Sequence, residues 1–251
     1  MVAAFADHFS GHASAYAQAR PTYPAALFDW LAAHCPRHGA AWDAGCGNGQ
    51  ASVALGARFA SVYATDPSAA QVASALPHPH VRYAVEAAEA CSLPDAGVDL
   101  VTVAQALHWF DQERFHAQVA RVLRPDGLFA AWTYERCLVS ADVDAVFERV
   151  YGPELGPWWP PERRHVESGY ATLPFPYVPV PAPAFELRCD WTLAQYLAYL
   201  RSWSACQRRL QAEGVDAVAA LADQFTRAWG DPESVRAVVW PMTLKAGRPL
   251  R

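Results

Sequence analysis

Between residues 24 and 134 two kinds of apolar pattern alternate along the chain. Short continuous runs predict strands covered on both faces, and runs with apolar residues every three or four positions predict helices. Strands are expected at 40–43, 61–65, 81–85, 98–103 and 128–133; the fourth is nearly all apolar apart from Asp99. A helix carrying Leu27, Phe28, Trp30 and Leu31 should open at Pro24 and end near Pro36. Others are expected over 52–59, briefly after Pro67, and over 111–122 with Phe115, Val119 and Val122 on one face. Arg124-Pro125-Asp126-Gly127 reads as a turn. Strands and helices in alternation imply an α/β fold, a mostly parallel sheet with helices on both faces.

Beyond residue 134 the pattern changes. Nine prolines fall within 135–184, among Trp158, Trp159, Tyr170, Phe175 and Tyr177. That density forbids long regular elements, and the aromatics argue against disorder. The expectation is a single domain over 1–251, with 135–184 as a helical, proline-rich insertion roofing a substrate pocket. It would hold one helix at 141–150. Helices should follow at 193–210, with Thr192 as N-cap, and at 215–229. A last strand at 235–244 would run antiparallel near the sheet edge, where Pro241 is tolerated.

Composition narrows the functional classes. A net charge of −5 offers no footprint for nucleic acid, and Arg163-Arg164 and Arg208-Arg209 are the densest basic spots. Six scattered cysteines make no zinc spacing and suit a reduced, cytoplasmic thiol set. His78-Pro79-His80 lacks acidic or cysteine partners nearby and reads as a polar turn, so no metal is expected. The first 20 residues lack the pattern of a signal peptide, and no stretch has membrane-spanning length without charge.

The densest chemistry lies in Asp43-Ala44-Gly45-Cys46-Gly47-Asn48-Gly49, where a strand ends and a helix begins. Gly45 and Gly47 let the backbone turn tightly and approach a ligand. A dinucleotide fingerprint would place its third glycine at 50, where Gln50 stands. Asp43 suits a cationic group rather than a pyrophosphate. Asp66, at the end of the next strand, suits a ribose diol, or alternatively a helix N-cap before Pro67. Together they favour S-adenosylmethionine, with S-adenosylhomocysteine as product, over NAD. Past the third strand, Ala87, Ala88 and Glu89 lie where an adenine ring should rest. Asn48, Pro67 and Gln105 complete the cofactor candidates drawn from strand ends.

These segments, with Leu93-Pro94, Asp99-Leu100-Val101, 106–111 and 121–127, resemble the class I S-adenosylmethionine-dependent methyltransferases of the methyltransferase type 11 kind. Arg20-Pro21-Thr22-Tyr23-Pro24 and 199–205 are similar to the trans-aconitate methyltransferase-like branch. The resemblance implies a Rossmann-like, seven-stranded sheet with an antiparallel last strand, its sixth strand at 185–189. It also implies that residues 1–24 cover the methyl donor, with Tyr16, Arg20 and Tyr23 as candidates and Arg20 facing the donor's carboxylate.

The acceptor is expected to be a small molecule, neither nucleic acid nor membrane, methylated on oxygen by a monomer or homodimer. A carboxylate acceptor needs a holder, Arg163 or Arg164. A hydroxyl acceptor benefits from a base, for which His108 is the candidate. His108-Trp109-Phe110 otherwise reads as packing under the cofactor. Tyr23, Trp109, Tyr170 and Trp203 are candidates for lining the substrate pocket, with Trp158 beside them. Two other classes fit less of the chain: a nicotinamide-dependent oxidoreductase, opposed by Gln50 and Asp43, and a non-catalytic metabolite-binding module of the same fold. A nucleic-acid methyltransferase is opposed by the acidic balance.

Overall fold

An apolar run with no alternation must be covered on both faces, and the strand at Val98–Ala104 lies mid-sheet, buried along almost its whole length. The computed structural model describes residues 21–250. Within them α1 (Ala25–Ala33) leads to β1 (Ala40–Ala44), α2 (Gln50–Gly56), β2 (Ser61–Asp66), α3 (Ala69–Ala73) and β3 (Val81–Val85). There follow β4 (Val98–Ala104), α4 (Gln112–Val122), β5 (Leu123–Tyr134), α5 (Ala141–Arg149) and α6 (Arg163–Glu167). The chain continues through β6 (Tyr177–Pro179), β7 (Phe185–Trp191), α7 (Leu193–Arg201), α8 (Ser204–Glu213), α9 (Ala222–Trp229) and β8 (Arg236–Pro249).

The strand order is β3-β2-β1-β4-β5-β8, with β6 and β7 both on the outer edge of β8. Neighbours from β3 to β5 pair parallel, while β8 is antiparallel to β5, β6 and β7. The order reverses between β1 and β4, which opens a crevice at their carboxyl ends. The α/β class, the parallel sheet and the antiparallel last strand are as the sequence predicts.

Three local differences have physical causes. The sheet has eight strands, not seven, because β6 adds a short piece against Gly247–Pro249; prolines at 176, 179 and 181 obscure it in the sequence. The 193–210 helix is two helices. Trp203 adopts an extended backbone and buries its ring edge-on against Phe147 and Tyr199, which breaks the helix after Arg201. Finally, Arg124 to Gly127 is an outward bulge inside β5: Leu123 pairs with Val98, and the next pair is Leu128 with Leu100.

Three cores hold these layers. Leu27, Phe28, Leu55 and Trp132 belong to one face of the sheet, and Phe115, Val119, Phe129 and Tyr170 to the other. The third joins Phe147 and Leu155 to Tyr196, Leu200, Phe225 and Trp240. Residues 135–155 thus share a core with the C-terminal third rather than folding apart. Thr192 and Gln195 form a capping box that starts α7. No helix among the described residues is long and apolar enough to cross a membrane.

Candidate active site

The glycine loop leaves β1 held against β2: the Gly45 and Cys46 amides donate to Thr65 O at 2.8 and 3.0 Å. Gly45 has φ +69°, and a Cβ there would lie 2.7 Å from Ala106 Cβ and 2.9 Å from Phe110 Cζ. Close packing of the β1 and β4 ends therefore requires glycine. Gly47 is different. At φ +54°, its missing Cβ would meet only Gln71 Oε1 at 3.8 Å and would otherwise enter open space. Asp66 ties two loops together, accepting from Gly47 N and Ser68 N at 2.9 Å each. The N-cap of α3 is Ser68, which accepts from Gln71 N at 3.3 Å, so Asp66 does not serve as that cap.

Asp43 is wholly buried behind the loop. Its oxygens accept from Ser52 Oγ at 2.5 Å and Thr102 Oγ1 at 2.9 Å. Burial pushes its carboxyl up to about 6, against the pull of the two hydroxyls and with the Asp66 charge adding to the rise.

A cavity of about 180 Å³ opens over the carboxyl ends of β1, β2 and β4. Tyr23, Gly45 to Asn48, Asp66, Pro67 and Gln105 line it, together with Trp109 and Tyr134. Among the described residues of its wall there is no lysine, arginine or histidine, and Asp66 contributes a carboxylate. Among the described wall residues a pyrophosphate finds no counter-charge, whereas an adenosyl sulfonium with its ammonium group finds a favourable one in Asp66. The donor's chemistry fits these residues: a carboxylate for a diol, an open Gly47 for close approach, and no cationic side chain among the described wall residues.

A second cavity, of about 100 Å³, adjoins the first and shares Gln105, Trp109 and Tyr134 with it. Its other walls include His108, Glu135, Trp159, Arg163, Tyr199 and Trp203. Gln105, on the shared wall, has φ +57°, unusual for a residue with a side chain. Its backbone N–H donates to Trp132 O at 3.0 Å and its Nε2 to Tyr134 O at 2.7 Å, while its Oε1 accepts from Thr133 Oγ1 at 2.5 Å. Three bonds to β5 thus hold a strained residue in place. His108 sits on a 3₁₀ turn after β4, with Nδ1 3.2 Å from the Tyr170 hydroxyl. Burial pushes its imidazole down to about 3, with the Arg163 and His165 charges adding to the fall; it is neutral at physiological pH.

Not every candidate reaches a wall. Asp43 does not, and it supports the loop from behind instead of touching the cavity. Ala87, Ala88 and Glu89 do not line the cavity either: Ala88 is buried in a core, and Glu89 accepts from Asp111 N at 2.9 Å at the start of α4. Arg164 is exposed and outside the second cavity. Tyr170 is wholly buried behind His108 rather than lining the pocket. Tyr23 lies on the first cavity, not the second. Tyr16 and Arg20 fall outside the described residues. Glu135, Trp159, Tyr199 and Ser68 are wall residues that the sequence patterns do not single out.

A doubly covered sheet with a carboxylate-bearing cavity at its switch point defines a class, α/β enzymes that hold a nucleoside-bearing co-substrate over the strand ends. Residues 42–131 match the family model described as Methyltransferase domain. A methyltransferase of Dictyostelium discoideum is 31% identical over 229 residues, 90% of this chain and 87% of that protein. The structure reported for a type II methyltransferase of Anaeromyxobacter dehalogenans superposes with a TM-score of 0.87 at 48% identity, covering 92% of this chain and 99% of that one. A methyltransferase of Anabaena variabilis shares the fold at 19% identity, with a TM-score of 0.54 over 89% of this chain and 99% of its own. The chain belongs to the class I S-adenosylmethionine-dependent methyltransferases. It is an enzyme whose methyl donor is S-adenosylmethionine, and the nicotinamide reading falls away.

Proposed function

We propose that this enzyme methylates an oxygen atom of a small-molecule acceptor held in the second cavity. The observation that carries the reading is the shared wall: two cavities meet at Gln105, Trp109 and Tyr134. The bound donor supplies an activated methyl group, and the protein supplies alignment and a dry site. Asp66 accepts from the ribose hydroxyls, and Gly45 to Asn48 with Pro67 lie along the donor. Asp43 keeps the loop's shape through Ser52 and Thr102. Tyr23 borders the donor, and the 135–184 segment roofs the acceptor. Trp109 and Trp203 give the acceptor flat apolar surfaces, with His108 beside it. A net charge of −5 and a small aromatic cavity support a small molecule over nucleic acid, and six free cysteines support a reducing compartment such as the cytoplasm.

Calorimetry with S-adenosylhomocysteine and NADH tests the donor site: S-adenosylhomocysteine is expected to bind and NADH not. A screen for labelled methyl transfer to carboxylic acids, phenols and amines tests the acceptor. Methylation confined to amines would overturn the oxygen assignment.

A further inference from the structure

We propose that the acceptor is a small oxyanion, ionised before it enters, and that Arg163 fixes it for methylation without help from a protein base. This rests on the methyl-transfer reading above and names the substrate class of the same site.

Arg163 projects from α6 into the second cavity. Its guanidinium carbon lies 4.6 Å from the Trp159 ring centroid and 5.5 Å from that of Tyr151. Its Nε donates to the Tyr151 hydroxyl at 2.9 Å, and that hydroxyl donates to Glu167 Oε1 at 2.6 Å. The planar fork is thus held by stacking and by one hydrogen bond. Among the described residues no carboxylate makes an ion pair with it. The carboxylate on the same cavity wall, Glu135, accepts instead from Arg136 Nε at 3.0 Å. A half-buried guanidinium with its outer N–H edge uncommitted is suited to an incoming oxyanion, which it holds by charge-assisted, bidentate hydrogen bonds.

Of the titratable groups facing that space, the Glu135 carboxylate is paired with Arg136, and the others do not offer a base. His108 is held neutral, with burial first and then Arg163 and His165 lowering its affinity for a proton. An imidazole whose conjugate acid is that strong retains little of a proton taken from a hydroxyl at neutral pH. Burial pushes the phenols of Tyr151 and Tyr170 upward, so both keep their protons. Tyr134 and Tyr199 complete the wall, and His165, on α6, bonds Thr172 Oγ1 through Nδ1 at 2.7 Å. The cation that weakens His108 as a base is the one that stabilises an oxyanion.

With an ionised acceptor the step balances by itself. A lone pair on the acceptor oxygen forms the O–CH₃ bond as the C–S bond breaks, and that bond's electrons go to sulfur. Sulfonium becomes thioether, oxyanion becomes neutral ester or ether, and no proton moves. The cavity, about 100 Å³ with Trp109, Trp159, Trp203 and Tyr199 around it, limits the body beside the anion to something short or flat.

The test uses the whole protein saturated with S-adenosylhomocysteine and titrated with benzoate, 4-nitrophenolate and benzyl alcohol at pH 8. At least one of the two anions is expected to bind about tenfold or more tightly than the alcohol. Arg163→Gln should erase that preference while S-adenosylhomocysteine affinity stays within about twofold. Arg163→Lys, which keeps the charge without the fork, should retain part of it and serves if the glutamine variant does not fold. Which anion binds separates carboxylate from phenolate acceptors. Equal or tighter binding of the alcohol, no binding of any of the three, or a preference that survives Arg163→Gln overturns the proposal. Loss of S-adenosylhomocysteine binding by the unmodified protein would instead overturn the donor site, a separate result.

Discussion

Gly47 is the loop position where one absent methyl group leaves the first cavity open. Its neighbours Gly45 and Asp66 fix the loop, and Gly47 lines the first cavity with only Gln71 Oε1, 3.8 Å away, near its missing Cβ. In Gly47→Ala the new methyl enters that cavity at a positive φ. Unfolding free energy should fall by about 1–2 kcal/mol, while S-adenosylhomocysteine affinity falls tenfold or more. In Gly45→Ala the methyl meets Ala106 and Phe110, so stability should fall further. Urea midpoints and calorimetry on the two variants separate the effects; equal losses of stability and affinity at Gly47 would mean that it does not face the donor. At this scale the sequence is informative where chemistry is local. Gly45, Gly47 and Asp66 sit at strand ends that apolar patterning locates. Trp159, Glu135 and Tyr199 are invisible as site residues because three separate segments must fold before they meet. Glu89 and Tyr170 mislead for the complementary reason: their partners, Asp111 N and His108, are set by packing.

At the scale of elements, Asp99 explains how β1 enters the sheet. It is the charged interruption in β4, and it accepts from Gly39 N at 2.9 Å and Ala40 N at 3.1 Å while pairing with Arg37 and Arg124. Burial would raise its pKa, but the two backbone amides and the two arginines outweigh that, and its carboxyl is held below the usual range. A carboxyl with a lowered folded-state pKa stabilises above its unfolded value and loses that contribution as pH falls through the folded one. The urea midpoint should therefore decline below about pH 4. Asp99→Asn should lower stability at pH 7 by about 2–4 kcal/mol and flatten part of that acid decline. An unaltered acid profile in the variant would remove Asp99 from this role. Strand patterning reveals β4 and its lone carboxylate but not the partners. It also reads Arg124 to Gly127 as a turn ahead of a strand at 128–133, because proline and glycine mark a turn and a bulge alike. The continuous helix expected at 193–210 fails because helical spacing carries no sign that Trp203 is drawn into the third core.

For the whole molecule, the consequence of two cavities with a common wall is mechanical coupling. Tyr134 belongs to the third core, and Gln105, which lines both cavities, bonds to its backbone carbonyl. Filling the donor cavity should therefore stabilise the described chain as one unit. At a hundredfold excess over Kd, S-adenosylhomocysteine should add about 2.7 kcal/mol and raise Tm by about 5–10 °C in a single calorimetric transition, while NADH leaves Tm unchanged. Two transitions, with only one moving, would show that the halves melt apart. Overall architecture is the most legible level in the sequence, since alternating periods over 24–134 suffice for a doubly covered sheet; the third core is the least, since it joins residues as far apart as Tyr134 and Trp240.

The long strand β8 has a bearing on biosynthesis. It lies between β5 and the pair β6 and β7, none of which has another strand on that side. A nascent polypeptide therefore carries bare, hydrogen-bond-hungry edges until residues 236–249 leave the ribosome. Release cut short before that point should yield material that self-associates rather than a smaller working enzyme, and a holdase chaperone would be most useful during that interval.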